Sequence, residues 1–282
     1  MIVYRNMRFD DIPTGLSLCR SAGWNQQARD WELFLKRNPE GCRVALDESG
    51  NVVGTVTTFR YEHHFTWIGM VLVNPDKKRT GIGTQLLNEA LMLVPDNETV
   101  KLDATPAGRE VYLKLNFVDE YPISRMHIGS YAVENLPMSS ARPILANDMS
   151  GILKLDREVF GADRQLVLEW SLQGAPHYAF VMKEQGEING FCFGRHGHNF
   201  NHIGPVIATH VSIAMHLLSA ALHKGEGEPT VIDVLDHTPD WTRFLSSLGF
   251  VHLRPLIRMY QGANAYPGLP EKQFAILGPE FG

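Results

Sequence analysis

Apolar positions change period several times along the first 130 residues, and each change marks an element. "IVYR" (2–5) is short and strand-like, and Asp11–Arg20 carries its apolar residues at helical spacing. "RVALD" (43–47) and "VVGTVTTFRY" (52–61) predict a hairpin turning at "SGN", and "FTWIGMVLV" (65–73) a buried strand. Helical spacing returns over 82–94, a strand follows at "TVKLDA" (99–104), a helix over 107–115 and a last strand at "FVDEYPISRMHIG" (117–129).

The same order is then written a second time. "SGNVVG" (49–54) is matched by "QGEING" (185–190), "WIGMVLV" (67–73) by "HIGPVIA" (202–208), and "QLLNEAL" (85–91) by "HLLSAAL" (216–222). "FVDEYPISRMHIG" is matched by "FVHLRPLIRMYQG" (250–262), keeping Phe-Val, Pro, Arg-Met and Gly. Four matches in one order imply a duplicated fold. "YAVENLPMSSARP" (131–143), with two prolines and little periodicity, has the composition of a linker. The predicted organisation is a first domain over 1–132, a linker over 133–139 and a second domain over 140–282. Antiparallel strands followed by a βαβαβ ending make each an α/β (mixed α+β) unit, a mixed, mostly antiparallel sheet flanked by helices.

Composition narrows the function classes. Apolar residues form 44% and charged ones 20%, the balance of a soluble globular protein. A formal charge of −5 disfavours nucleic acid as a partner and mildly favours a cationic substrate. Three separated cysteines, Cys19, Cys42 and Cys192, form no C-x-x-C pair, so neither a disulfide framework nor a zinc knuckle is expected. With no signal-like or membrane-spanning apolar run, the expected location is the cytoplasm and no membrane partner is expected.

The chemistry concentrates in "VNPDKKRTGIGTQLL" (73–87), a strand leading through a cationic turn and two glycines into a helix. A helix N-terminus offers unpaired N–H groups and the positive end of a dipole, and glycines let the backbone approach bound oxygens. Together these describe a phosphate or diphosphate cradle. A nucleoside-triphosphate P-loop needs Lys and Ser or Thr after its last glycine, whereas Thr84-Gln85 follows Gly83. A dinucleotide fingerprint needs a third glycine where Leu86 stands and a tight turn where this loop is long.

The whole stretch resembles the acyl-CoA loop of the Gcn5-related N-acetyltransferase (GNAT) superfamily, Arg or Gln-x-x-Gly-x-Gly or Ala, with Lys78 at the first position and Gly81 and Gly83 as the glycines. "LDATPAGREVYLKLNF" (102–117) resembles the family's second signature, a Tyr on the last helix shortly before a Gly-Phe pair. Here these are Tyr112 and Asn116-Phe117, Asn being the residue that best replaces Gly in a left-handed helix end. With "HIGPVIA", "GFVHLRPLIRM" and "FAILGPEFG" (274–282), the chain is similar to a tandem, YitH-like branch of that superfamily.

The resemblance implies two GNAT-like domains and acetyl transfer from acetyl-CoA to a primary amine by direct attack. The amine would belong to a small molecule or a protein, and a homodimer is compatible with this. Met70, Val71, Leu72 and Val73 would line the pantetheine, and Lys78, Arg79, Thr80, Gly81, Ile82, Gly83 and Thr84 would hold the diphosphate. Tyr112 would protonate the departing thiolate. Asp103, at the end of a strand beside the cleft, and Glu62, in "YEHH" (61–64), are candidates for handling the amine's proton, along with His63 and His64. The second half has neither signature: "THVSIAM" lacks glycine and Lys or Arg, and Leu245 stands at the position of Tyr112. It would cover the cleft, bind substrate or stabilise the first half. The histidines of "GRHGHNFNHIG" (194–204) have no zinc spacing, so no metal is expected, although His196 and His198 could meet the acceptor. The alternative from another class is an acyl-CoA or metabolite sensor without turnover.

Overall fold

The structure, a computed structural model, describes residues 1–236 and 238–282. The first half runs β1 (Val3–Asn6), α1 (Ile12–Ser21), α2 (Ala28–Arg37), β2 (Arg43–Leu46), β3 (Val52–Tyr61), β4 (Phe65–Val73), α3 (Ile82–Leu91), β5 (Thr99–Ala104), α4 (Pro106–Leu113) and β6 (Val118–Ile128). The second runs β7 (Arg142–Pro143), α5 (Met149–Phe160), α6 (Gln165–Gly174), β8 (Phe180–Glu184), β9 (Glu187–Arg195), β10 (Asn201–Ala208), α7 (Val211–Lys224), β11 (Thr230–Leu235), α8 (Pro239–Ser247) and β12 (Val251–Gln261). A short strand, β13 (Gln273–Ala275), follows. The mixed α/β class is as expected, with one addition: each half opens with two helices. The second of them in the first half, α2, buries Trp31, Phe34 and Leu35 at the i, i+3, i+4 spacing of an amphipathic helix, a signal present in the sequence but not read there.

All thirteen strands among the described residues join one sheet, in the order β1-β2-β3-β4-β5-β12-β6-β11-β13-β10-β9-β8-β7. The halves exchange their last long strands. β12 pairs with β5 of the first half, β6 pairs with β11 of the second, and β6 and β12 run antiparallel to each other between them. In that register Ile123 faces Leu256, its own counterpart in the repeat, so a pseudo-two-fold axis passes between them. Two buried ion pairs related by this axis lock the exchange. Arg125 on β6 grips Asp233 on β11 at 2.6 Å through two nitrogens, and Arg258 on β12 grips Asp103 on β5 at 2.8 and 2.9 Å. Losing one partner of such a pair leaves an uncompensated buried charge, a penalty of about 3–5 kcal/mol.

Duplication also governs helix packing. An added Cβ at Gly54 on β3 would stand 3.0 Å from Ile82 and Leu86 of α3, and one at Gly190 on β9 would stand 2.6 Å from Ile213 of α7. A glycine at the same place in each strand lets each helix sit directly on its sheet. On the other face a single apolar cluster joins Trp31, Phe34, Phe65 and Trp67 to Phe160, Phe193 and Phe281. Each half therefore completes the other's core.

Candidate active site

β4 and β5 are parallel neighbours only from Phe65–Trp67 against Thr99–Lys101. Beyond Trp67 they part, and β4 runs on to Val73 with its β5-facing edge unpaired. A bulge assists the parting: Thr55 faces Leu72 while Thr57 faces Gly69, and Met70 takes a positive φ of 49°. The resulting cleft encloses about 580 Å³. One end is lined by β4 from Ile68 to Val73, by Lys77–Arg79, by the start of α3 and by Thr105, Gly108 and Tyr112 around α4. The other end is lined by Trp24, Gln26, Arg125, Arg254, Leu256, Pro279 and Glu280.

The loop to α3 is shaped as an anion cradle. The Asn74 side chain accepts from the Asp76 N–H at 2.9 Å, and the Thr80 hydroxyl donates to the Lys77 carbonyl at 2.7 Å. Arg79 and Gly81 take φ of 62° and 88°, which turns the chain sharply into α3. Gly81 caps α3 without a side-chain bond, and the first helical hydrogen bond runs from Gln85 N to Gly81 O at 3.0 Å. The N–H groups of Ile82, Gly83 and Thr84 precede that bond and are left for a ligand. Lys78 and Arg79 are exposed and form no ion pair with any described residue. A Cβ at Gly81 would meet nothing within 4 Å, so the space above the cradle is open. These features fit a diphosphate.

Tyr112 lies across the cleft on α4. An added Cβ at Gly108 would be 3.0 Å from its ring, so the glycine one turn earlier makes room for the phenol. Burial pushes the hydroxyl above its ordinary value, and it has no hydrogen-bond partner among the described residues. It therefore keeps its proton at neutral pH and is free to donate it. Asn116 ends the helix at φ 62°, the left-handed position expected of it.

The sequence model of the acetyltransferase (GNAT) family matches residues 11–117, and that of an acetyltransferase (GNAT) domain matches 152–275. The chain belongs to the GNAT superfamily. Its GNAT domains stand in tandem. Over 83% of both chains it is 22% identical to YitH of Bacillus subtilis strain 168, described as an uncharacterized N-acetyltransferase. A Pyrococcus horikoshii protein shares the fold over 100% of this chain and 96% of its own, with 23% identity and a TM-score of 0.80. A tandem GNAT protein from the clavulanic acid biosynthesis pathway does so over 93% and 98%, with 12% identity and a TM-score of 0.64.

The second GNAT unit repeats the geometry and then closes it. β10 and β11 pair in parallel only at Asn201–His202 against Thr230–Val231, then part. β13 fills the gap, pairing with β10 through Val206 and Ile207 and with β11 through Val234. Trp241 of α8, at the position of Gly108, donates its indole N–H to the Phe274 carbonyl at 3.0 Å. Leu245, at the position of Tyr112, is fully buried.

Of the residues expected to act on the amine, the structure places only Asp103 at the cleft. Its carboxylate is held at both oxygens by Arg258, so it is committed to the strand exchange. Glu62 lies outside, in the β3–β4 turn at φ 54°, bonded to Arg157 at 2.7 Å and to the Asp163 N–H at 2.9 Å. Spacing on the page of the sequence put it near β4; the hairpin carries it to the far end of that strand. His63 and His64 share that turn, and His64 stacks on Tyr266. His196 bonds Asn201 at 2.9 Å and the His198 N–H bonds the Asn25 carbonyl at 2.8 Å; neither lines the cleft. No group of three metal-ligating side chains is present among the described residues.

Sequence reading missed Glu280. Residues 276–282 run from β13 toward the first cleft, crossing Gly204 of β10 and then Gly69 of β4, where added Cβ atoms would meet the Ile276 and Glu280 carbonyls at 2.0 and 2.9 Å. Tyr61 donates to the Phe281 carbonyl at 2.7 Å and Trp67 to the Pro279 carbonyl at 2.9 Å, fixing the segment against β4. Glu280 is thereby delivered to the cleft with its side chain buried and one oxygen on Arg195. The only signal for it was the glycine pair at 69 and 204, which marks close backbone approach without naming the visitor.

Proposed function

We propose that the protein is an acetyl-CoA-dependent N-acetyltransferase with one active cleft, in its first half, acting on a primary amine in the cytoplasm. The observation that carries this is the pairing of an open anion cradle with a protonated, unpartnered Tyr112 on opposite sides of one cleft. The N–H groups of Ile82–Thr84, with Lys78 and Arg79 beside them, hold the diphosphate. The unpaired edge of β4 from Met70 to Val73 holds the pantetheine arm and supplies donors for the thioester oxygen. Acetyl-CoA supplies an activated acyl group. The free amine forms the new C–N bond at the acyl carbon while the C–S bond breaks. Tyr112 gives its proton to the departing sulfur, and the amine's proton passes through cleft water to solvent. Asp103 keeps Arg258 and β12 in place rather than serving as base.

The test is release of free thiol from acetyl-CoA across a panel of amines. Tyr112→Phe is expected to lower kcat by about 10²-fold with CoA affinity preserved, and Gly81→Asp to abolish CoA binding in calorimetry. An unchanged titration for folded Gly81→Asp rejects the cradle. CoA binding with no thiol release from any amine leaves an acyl-CoA sensor in place of an enzyme.

A further inference from the structure

At the end of the cleft away from the cradle, Arg254 is a positive charge that no described residue pairs with. Arg254 on β12 stands directly opposite Arg125 on β6 in the strand register, and like charges in that relation disfavour pairing. Arg125 is neutralised by Asp233. Arg254 has no hydrogen bond or ion pair with any described residue, and its Nε is buried without a partner. Burial and the neighbouring Arg125 bring its pKa down to about 10, so it stays charged at neutral pH against both. Its counterpart across the pseudo-two-fold axis is Tyr121, a neutral side chain whose hydroxyl accepts from Arg258 at 2.7 Å. The fold thus accepts an uncharged residue at this place, and the arginine is a departure specific to the cleft side. It lines both the cleft and a smaller cavity of about 160 Å³.

Glu280 is the complementary irregularity. Its Oε2 is buried without a hydrogen-bond partner, and Arg195 is shared between Glu280 and Asp30, two carboxylates on one guanidinium. The same cleft is therefore lined by a carboxylate with a bare oxygen at Glu280 and by an unpaired guanidinium at Arg254. A half-buried guanidinium with no partner and a buried carboxylate with one bare oxygen are both costly, and a ligand carrying the opposite charges satisfies the two at once.

We infer that the acyl acceptor is an amine that also carries an anionic group, a carboxylate or a phosphate, docked with its anion on Arg254 and its ammonium toward Glu280. This rests on the transferase reading of the cleft and names its substrate class. The guanidinium fork suits either anion through paired charge-assisted hydrogen bonds. A neutral amine leaves the guanidinium unpaired and is selected against for that reason.

Thiol release from acetyl-CoA is measured with matched acceptors: L-amino acids against their carboxamides, and phosphoethanolamine against ethanolamine. At least one anionic member is expected to exceed its neutral partner about 10-fold or more in kcat/KM, and the pair that does so identifies the anion. Arg254→Gln brings that ratio to about one by raising KM for the anionic member, and Arg254→Lys restores part of it. CoA affinity, measured by calorimetry, stays as in the wild type for both variants and certifies their fold. A wild-type ratio of about one in every pair, or an equal loss for both members in Arg254→Gln, overturns the inference. If no acceptor releases thiol, the transferase reading fails separately, and calorimetry of the CoA-loaded protein decides the anion site. Binding of an amino acid or phosphoethanolamine that Arg254→Gln loses then sustains it; no binding of any overturns it.

Discussion

Two strand partings with one ancestral geometry have opposite fates in this molecule. Between β4 and β5 the gap is open, floored by Glu280 and fronted by a glycine-capped helix. Between β10 and β11 the gap is filled by β13, and Trp241 stands where Gly108 leaves space. Unpaired strand edges are costly when buried, so each must be satisfied by something. The second half satisfies its edges with its own chain, and the first leaves them open. The same closing stretch serves both, plugging one parting with residues 273–275 and reaching the other with residue 280.

The largest expected effect comes from removing the plug. Phe274→Ala should cost about 3–5 kcal/mol, as for other buried Phe truncations, seen as a lowered denaturation midpoint. CoA stoichiometry should remain one per chain, because opening the gap supplies no cradle; two per chain would break the distinction. Next, importing the plug's companion into the first half, Gly108→Trp, should weaken CoA binding by about 100-fold, or about 2.7 kcal/mol, with some loss of stability because its Cβ would press on the Tyr112 ring. Retained affinity in calorimetry would show that the space beside Tyr112 is not used by the ligand.

A smaller effect distinguishes the two ion pairs of the strand exchange. Among the described residues, the Arg125–Asp233 pair alone has a buried imidazole beside it: His202 Nε2 lies 3.2 Å from Asp233. Burial lowers the His202 pKa below its ordinary 6.5 despite that carboxylate. Burial works to raise Asp233, but Arg125 and His202 outweigh it and hold its carboxyl below the usual range. A group with a lowered folded-state pKa contributes stability that is present above its unfolded value and lost as pH falls. Thermal midpoints should therefore decline from about pH 6.5 downward, and His202→Gln should flatten the upper part of that decline. The smallest contrast is at the two helix ends. Asn116→Gly should change stability by less than about 0.5 kcal/mol, while Gly249→Ala, at φ 97°, should cost about 1–2 kcal/mol, both read from urea midpoints.

Much of this was legible in the residues themselves. The strands at 65–73 and 99–104 fall where alternation and buried runs put them, because neither depends on distant partners for its type. The glycine-capped start of α3 was legible because a sharp turn into a helix at positive φ demands a local glycine pattern. The loss of both motifs from the second half was visible in Leu245 and in the short, glycine-free "THVSIAM". What plugs it was not, since β13 is a three-residue Gln-Phe-Ala stretch too short to show a period and its place follows from pairing with strands more than 35 residues away. Asp103 and Glu62 resemble candidate bases equally in one dimension; only Arg258, 155 residues away, and Arg157, 95 residues away, reveal that both carboxylates are taken. The pairs Arg5–Asp11 and Arg142–Asp148 are a further repeat of the duplication that no string match displays, as their flanking residues have diverged.

By itself the sequence determined what is periodic or local: the element types, the duplication, the superfamily, and which half keeps the cradle and the phenol. Tertiary structure decided what depends on meetings between distant segments. These are the exchange of β6 and β12, the sealing of one parting by β13, and the arrival of Arg254 and Glu280 at the other. The physical reason is that a helix N-terminus carries its chemistry in consecutive residues, whereas a charge acquires its role from the partner it finds or lacks, and that partner is set by the fold.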